Sequence, residues 1–241
     1  MKVQRIAAWR EVARRIAHEI KNPLTPIQLA AERLQKKYLS SINTETDLFI
    51  TLTDTIVRQV EDIGSMVDEF SSFARMPRAV MKEIELIDLV KEQVSLQETA
   101  HSDIDFFIEG VEKKIMVQCD ARQVRRVITN LLQNSVDSIT ARKEASKTYN
   151  GKIKILLSIE ERFGSIVISD NGKGLPKENR HRLTEPYVTT REKGTGLGLA
   201  IVAKILEDHR GVFRIEDGGI LDGGATVTIK IPKSNNLKRV K

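Results

Sequence analysis

The sequence holds one cysteine, Cys119, among 241 residues. That excludes a disulfide framework and any zinc site built from several thiolates. In "IMVQCD" the thiol reads as a small buried hydrophobe. Aromatic residues are scarce as well, at 5 % with a single Trp, so Leu, Ile, Val and Ala must fill the core. No apolar run approaches the ~18 residues that a membrane-spanning helix needs. The charged start, "MKVQRIAAWREVARR", lacks a signal-peptide core, and the cytoplasm is the expected location. Charge of one sign is not dominant: 39 basic and 33 acidic residues leave a net +6, too mild to point to direct nucleic-acid binding.

Apolar periodicity, by contrast, is strong. From Ile6 the apolar residues fall at 6, 9, 13, 16, 20, 24, 27, 31 and 34, with Tyr38 next. These steps of three and four predict one long helix. Turn and N-cap chemistry follows between Ser41 and Asp47. A second series runs through Phe49, Leu52, Ile56, Val60, Ile63, Val67, Phe70 and Phe73, ending before Pro77. Two long helices with a short connection form an antiparallel hairpin. One hairpin cannot cover its own apolar seam, so two are expected to pair as a four-helix bundle in a homodimer.

After "RMPR" the pattern changes. "IDFFIEG" and "KKIMVQCD" read as short strands, and a helix is predicted from about Ala121 to Lys143. "GKIKILLSIEERFGSIVISDNGKG" alternates on both sides of Arg162–Gly164, which predicts a strand hairpin. A glycine-rich segment and helix from Gly194 to about Asp208, then the strands "VFRIED" and "ATVTIKIP", close the domain. Strands and helices mix without a strict βαβ rhythm, so the fold class is α+β. The expected boundaries are 1–76 for the helical domain, 77–233 for the mixed domain, and 234–241 for a disordered basic tail.

The stretch "RIAHEIKNPLTPIQLAAERL" places His18 in the first helix. With Ala13 at heptad position a, Ile16 at d and Ile20 at a, His18 falls at f, furthest from the seam. An f-position histidine is ordinarily a solvated surface residue. Here Glu19 adjoins it, able to orient the ring or accept its proton, and Asn22 lies one turn along the same face. Pro23 removes a backbone donor and predicts a bend just past the ring. An exposed imidazole with an orienting carboxylate is a candidate nucleophile. It is a poor metal site, having no second His at helical spacing. His101, His181 and His209 lack such neighbours and read as surface or structural residues.

Three further segments gain meaning together. "NLLQNSVDS" puts Asn130, Asn134 and Asp137 on one helical face, where a polar solvent face is the plainer account. "SDNGKG" follows an apolar strand and alone is an ordinary turn. "GTGLGLAIV" opens a helix with alternate glycines, where backbone amides can approach phosphates. It is not a P-loop, since no Lys-Ser/Thr follows, and it lacks the βαβ setting of a dinucleotide fingerprint.

In this order, "HEIKNPLTP", "NLLQNSVDS", "DNGKG", "TEPYVTT" and "GTGLGL" resemble the phosphoacceptor motif and the N, G1, F and G2 boxes of sensor histidine kinases in two-component systems. The first and fourth look most like the NtrY-type nitrogen-regulation sensors. The resemblance covers nearly the whole chain. It implies a dimerisation and phosphotransfer hairpin followed by a Bergerat (GHKL) ATP-binding α/β sandwich. Residues 1–15 would then end an upstream signalling helix, and the chain would be the cytoplasmic portion of an inner-membrane sensor, touching the membrane only through segments outside this sequence.

Carried onto these positions, the resemblance makes His18 the phosphoacceptor, Glu19 its proton partner, and Asn22 a residue that positions water against a phosphorylated partner. Asp170 would recognise the adenine amino group, with Gly172 and Gly174 letting the backbone bend around the base and Thr226 completing the pocket. Asn134, assisted by Asn130, would hold Mg²⁺ against the phosphates of ATP, with Asp137 on the same face. Gly194, Gly196 and Gly198, with Thr195 and Leu197 between them, would hinge a lid over roughly 175–193. Arg191 and Lys193 become candidate phosphate contacts, and Tyr187, Thr189 and Thr190 belong to the F box, Tyr187 standing where the family usually has Phe. The implied partner is a response-regulator receiver domain. Two rivals stay open: a GHKL-type ATPase, although Asn130 stands where those enzymes carry a catalytic Glu, and a catalytically silent dimeric scaffold.

Overall fold

The computed structural model describes residues 2–241 apart from 43, 75, 111, 146–148, 177–179, 187, 190–194, 219–220, 222 and 235–241. Side chains are further described except at 2–16, 18, 72–74, 145 and 181. The expected tail, 234–241, falls outside this set beyond Ser234. The chain divides into two compact units, Met1–Pro77 with Arg191–Leu197, and Arg78–Thr190 with Gly198–Lys241.

The first unit is built on the helix α1 (Lys2–Tyr38), a short 3₁₀ turn at Leu39–Ser41, and the helix α2 (Thr46–Ala74). α1 runs on through Pro23 and Pro26, so the break that Pro23 threatens is absorbed within one helix. A helical proline withdraws the bond to the carbonyl four residues back; here those carbonyls belong to Glu19 and Asn22. The hairpin packs antiparallel in heptad steps. Lys21 Nζ meets Asp68 at 2.6 Å, Gln28 Nε2 reaches Glu61 at 3.5 Å, and Gln35 Nε2 reaches Asp54 at 2.8 Å. Each seven-residue advance along α1 matches seven residues back along α2. The buried positions keep the same step: Ala17 and Ala31 on α1, with Thr53, Val60 and Val67 on α2. The predicted a-position residues Ile20, Ile27 and Leu34 are instead exposed. The intrachain contact therefore runs through the neighbouring e positions, where Ala lets the two backbones approach.

The second unit is an α/β sandwich. A five-stranded sheet has the order β2 (Ile104–Glu109), β4 (Gly151–Ile159), β5 (Phe163–Asp170), β7 (Ala225–Pro232), β6 (Val212–Asp217). β2 runs parallel to β4, and the other pairs are antiparallel. A two-stranded ribbon pairs β1 (Lys82–Glu85) with β3 (Met116–Cys119). Three helices contact the large sheet: α3 (Leu86–Ala100) against β2, α4 (Ala121–Ala145) centrally against β4 and β5, and α5 (Gly198–Asp208) against β6.

The core follows from two periods meeting. β4 turns Ile153, Ile155 and Leu157 to one face, β5 Ile166 and Ile168, and β7 Ile229 and Ile231, all buried. α4 answers with Val124, Val127, Ile128, Leu131, Leu132 and Ile139, spaced by threes and fours. Asp120 caps α4 by accepting the amides of Arg122 and Gln123 at 3.0 and 3.4 Å. His209, 2 % exposed, ties the end of α5 to this cap. Its Nε2 accepts the Asp120 amide at 3.0 Å, so Nδ1 carries the proton donated to the Ile205 carbonyl 2.8 Å away. Cys119 is buried, and burial pushes its thiol pKa up to about 12.

Candidate functional site

In the second unit, α4 supplies the polar residues and the end of β5 supplies the carboxylate. Asn130, Asn134 and Asp137 are all half-buried on α4. Asn130 Nδ2 donates to the Gly198 carbonyl at 3.3 Å, at the first residue of α5. Asp137 accepts from Gln133 Nε2 at 2.8 Å.

Asp170 is the last residue of β5 and only 5 % exposed. Burial raises the pKa of its carboxyl above the usual carboxylate range, against the opposing pull of the Gly172 and Ala225 amides and the Ser135 and Ser138 hydroxyls. The Gly172 amide lies 2.8 Å from Oδ1. Ser138 Oγ is buried and, among the described residues, has no hydrogen-bond partner of normal geometry. It lies close enough to Asp170 to favour the ionised form.

The glycines here are dictated by space. A Cβ on Gly172 would lie 2.2 Å from Ser138 Oγ and 2.6 Å from the Ser138 carbonyl carbon, so only glycine lets this loop lie against α4. The Lys173 amide then bonds the Ser138 carbonyl at 3.2 Å. Gly174 follows at φ +79°, with the Gly224 carbonyl 3.2 Å from where its Cβ would stand.

Thr226 does not join this group. Its hydroxyl bonds Ser169 Oγ at 2.8 Å and the Gly218 carbonyl. Neighbouring residues of a strand point to opposite faces, so Ser169 and Thr226 share the face away from the Asp170 side chain. The residue on Asp170's face of β7 is Ala225, whose pocket-facing side chain is a methyl. The sequence expectation is off by one residue, because a one-position step along a strand reverses the face.

The first unit holds the remaining assignments. His18 lies in α1, its side chain outside the described set; Glu19 and Asn22 are exposed, with Asn22 one turn further along. Gly196 adopts φ +69°, a left-handed conformation that favours glycine. The Leu197 amide donates to Thr195 Oγ1 at 3.2 Å, and the Thr195 hydroxyl bonds the Glu69 carboxylate. In the second unit Gly198 opens α5, which ends at Asp208 as the sequence suggested, and Thr189 is exposed. Tyr187, Thr190, Arg191, Lys193 and Gly194 lie outside the described residues.

Comparison with known proteins decides what these pieces belong to. Residues 8–78 match the His Kinase A (phospho-acceptor) domain, and residues 119–235 match the histidine kinase-, DNA gyrase B- and HSP90-like ATPase family. The chain belongs to the sensor histidine kinases. It is 49 % identical over 216 residues to the nitrogen regulation protein NtrY of Azorhizobium caulinodans, covering 89 % of this chain and 28 % of that protein. It is 41 % identical over 223 residues to a putative NtrY-like sensor histidine kinase of Rickettsia prowazekii, covering 91 % of this chain and 36 % of that one. Among solved structures, histidine kinase ThkA in complex with response regulator protein TrrA matches at TM-score 0.66 and 25 % identity, over 98 % of this chain and 65 % of that one. The chain thus spans about a third of the length of these curated relatives.

Within this sensor-kinase core the second unit has the GHKL-type catalytic fold, and α1–α2 is the helical region that precedes it in the family. Sequence reasoning missed Ser135 and Ser138, which pack beside Asp170. They stand three apart on α4 and so share a helical face, and that spacing was the available signal. Arg142 and Tyr149, against the next loop, carry no such signal.

Proposed function

We propose that this chain is the catalytic core of a protein histidine kinase that phosphorylates itself on His18 from ATP and passes the phosphoryl group to an aspartate of a response-regulator receiver domain. The observation that carries it is the pairing of two things in one chain: a buried carboxylate, Asp170, beside a glycine loop packed on α4, and a helix whose sequence carries His-Glu-x-x-Asn.

The carboxylate suits adenine. Asp170 accepts a hydrogen bond from the exocyclic amino group, and the glycines at 172 and 174 let the loop beside that carboxylate pack against Ser138 and Gly224. The residues also fit Mg²⁺. Asn130 uses its amide nitrogen on Gly198, which leaves its oxygen for a cation, and Asn134 adds a second amide oxygen. Among the described residues no cluster of three His, Cys, Asp or Glu could hold a metal, so the phosphates must supply further oxygens, as Mg²⁺ prefers. When bound, Mg²⁺ neutralises phosphate charge as the terminal P–O bond breaks. An imidazole nitrogen of His18 takes the γ-phosphoryl group, ADP leaves, and Glu19 takes the ring proton. A receiver aspartate then accepts the phosphoryl from His18. Asn22 positions the water that hydrolyses the regulator's phosphoaspartate.

Dimerisation through the hairpin is part of the same reading. Ile20, Ile27, Leu34, Leu52, Ile56 and Ile63 are 39 to 56 % exposed, an apolar stripe that a second copy would cover. A cytoplasmic location accords with the described residues, where no helix is long and apolar enough to cross a membrane.

Incubation with γ-labelled ATP separates the rivals. A kinase retains acid-labile, base-stable label on the protein. A GHKL ATPase releases inorganic phosphate without protein label, and a silent scaffold does neither.

A further inference from the structure

Beside the base-recognising loop lies a cluster that no step above uses. Arg142, near the end of α4, donates Nη1 to the Asn171 carbonyl at 2.7 Å and to the Gly172 carbonyl at 3.1 Å. Its guanidinium sits over the Tyr149 ring, 4.4 Å from the centroid. The Tyr149 hydroxyl donates to the same Asn171 carbonyl. Burial raises the pKa of this phenol, against the lowering effect of the Arg142 charge, so it stays a donor at neutral pH. From the other side Gly223, at φ +80°, closes on the guanidinium: a Cβ there would lie 2.7 Å from Nη1. The Asn171 side chain is fixed too, accepting the Lys152 amide at 2.7 Å and donating to the Asn150 carbonyl at 2.9 Å.

The carbonyl of Asn171 and the amide of Gly172 belong to one peptide group. That group is planar and trans, so its oxygen and hydrogen point in opposite directions. Holding the oxygen on Arg142 and Tyr149 therefore aims the hydrogen at Asp170 Oδ1, 2.8 Å from the nitrogen. A rotated peptide would present an oxygen to a buried carboxylate instead.

We propose that Arg142 and Tyr149 are positioning residues for nucleotide selection, clamping this peptide so that its amide fixes the Asp170 carboxylate in the orientation that accepts the adenine amino group. The proposal rests on the reading of Asp170 as the base-recognising residue. A guanidinium is suited to the task because its planar fork serves two carbonyls while its face stacks on an aromatic ring.

The test uses the full chain with ATP and GTP as competing probes, both with Mg²⁺, together with single-turnover phosphoryl incorporation. Arg142→Met should weaken ATP binding about tenfold, the scale of losing charge-assisted hydrogen bonds. GTP, whose base offers no amino group at that position, should change by less than about twofold, while incorporation at saturating ATP holds within about twofold. Tyr149→Phe should shift ATP affinity about threefold in the same direction, and Arg142→Lys should recover part of the loss. ATP affinity unchanged in both Arg142→Met and Tyr149→Phe would overturn the proposal, as would equal weakening of ATP and GTP, the mark of a loosened domain. If Arg142→Met fails to fold, Tyr149→Phe and Arg142→Lys decide by the same criteria. Asp170→Asn separates the two layers: retained ATP affinity there defeats the base-recognition reading and the clamp with it. Loss there beside an unaffected Arg142→Met defeats the clamp alone.

Discussion

The two units solve the problem of burying apolar surface in opposite ways. The α/β unit fully buries large side chains such as Leu131, Ile153, Ile166 and Ile201. The hairpin buries small ones, Ala17 and Ala31, with Val60 and Val67, and leaves Ile20, Ile27, Leu52 and Ile56 exposed. One unit closes its own core. The other has half of one, since a two-helix layer offers only one contact face per helix and the remaining stripe needs a second layer. The contrast separates the two units: one closes its own interior, and the other leaves an apolar stripe uncovered among the described residues.

The comparison breaks most readily at the exposed stripe. Ile56→Asp would place a carboxylate in an apolar interface, which costs several kcal/mol unless paired. Sedimentation should show dimerisation weakened or abolished, with affinity reduced by about a thousandfold and monomer prevailing at concentrations where a dimer is expected of the wild type. ATP affinity should be unchanged, because Ile56 is none of the residues assigned to the nucleotide. Loss of ATP binding together with dimerisation would mean that the two units are not independent.

Asp170→Asn tests the other unit. ATP binding should fall by about a hundredfold or more, as when a site built to pair a donor loses its acceptor charge. Stability should move the opposite way. The native carboxyl has a raised pKa, mainly from burial. The folded state therefore holds its proton more tightly than the unfolded chain, and this group's contribution falls as pH rises through the raised value. The substitution should raise Tm by a few degrees at pH 7, and the gain should shrink as pH drops to the ordinary carboxylate range. An equal or larger gain at low pH would contradict the assignment.

A smaller effect is expected at the start of α4. Burial alone would raise the Asp120 pKa, but the amides of Val80, Gln123 and Arg122 outweigh it and hold the carboxyl below its usual value. Its contribution is present above the ordinary carboxylate range and lost as pH falls through the lowered value. Asp120→Ala should cost about 1–2 kcal/mol, read as a lower Tm for the α/β unit with the dimer intact. The smallest effect concerns Cys119, whose thiol pKa near 12 and burial predict no maleimide labelling of the native chain and full labelling after unfolding.

Much of this was legible beforehand because long periodic segments and ordered polar motifs survive translation into structure. α2 and α4 begin or end close to where their spacing places them. Three things were not legible. The helix α3 was not, although Leu86, Leu89, Val90, Gln93 and Val94 share a buried face, because no side-chain cap marks its start and a polar Gln93 interrupts the apolar series. The side of the sheet to which Thr226 belongs depends on register with Ser169, which local sequence does not encode. The Arg142–Tyr149 clamp depends on a turn of α4 meeting a loop 29 residues away, and only tertiary structure brings them together.

The central claim is the proposal that His18 accepts the phosphoryl group, and site-resolved labelling tests it most directly. The full chain and its His18→Gln variant would each be incubated with γ-labelled Mg-ATP, and ATP affinity measured alongside. The account predicts acid-labile label on a peptide containing His18, abolished in the variant, with ATP affinity within about twofold of wild type because His18 is none of the residues assigned to the nucleotide. Acid-labile label persisting in His18→Gln, on a peptide containing His101, His181 or His209, would contradict it.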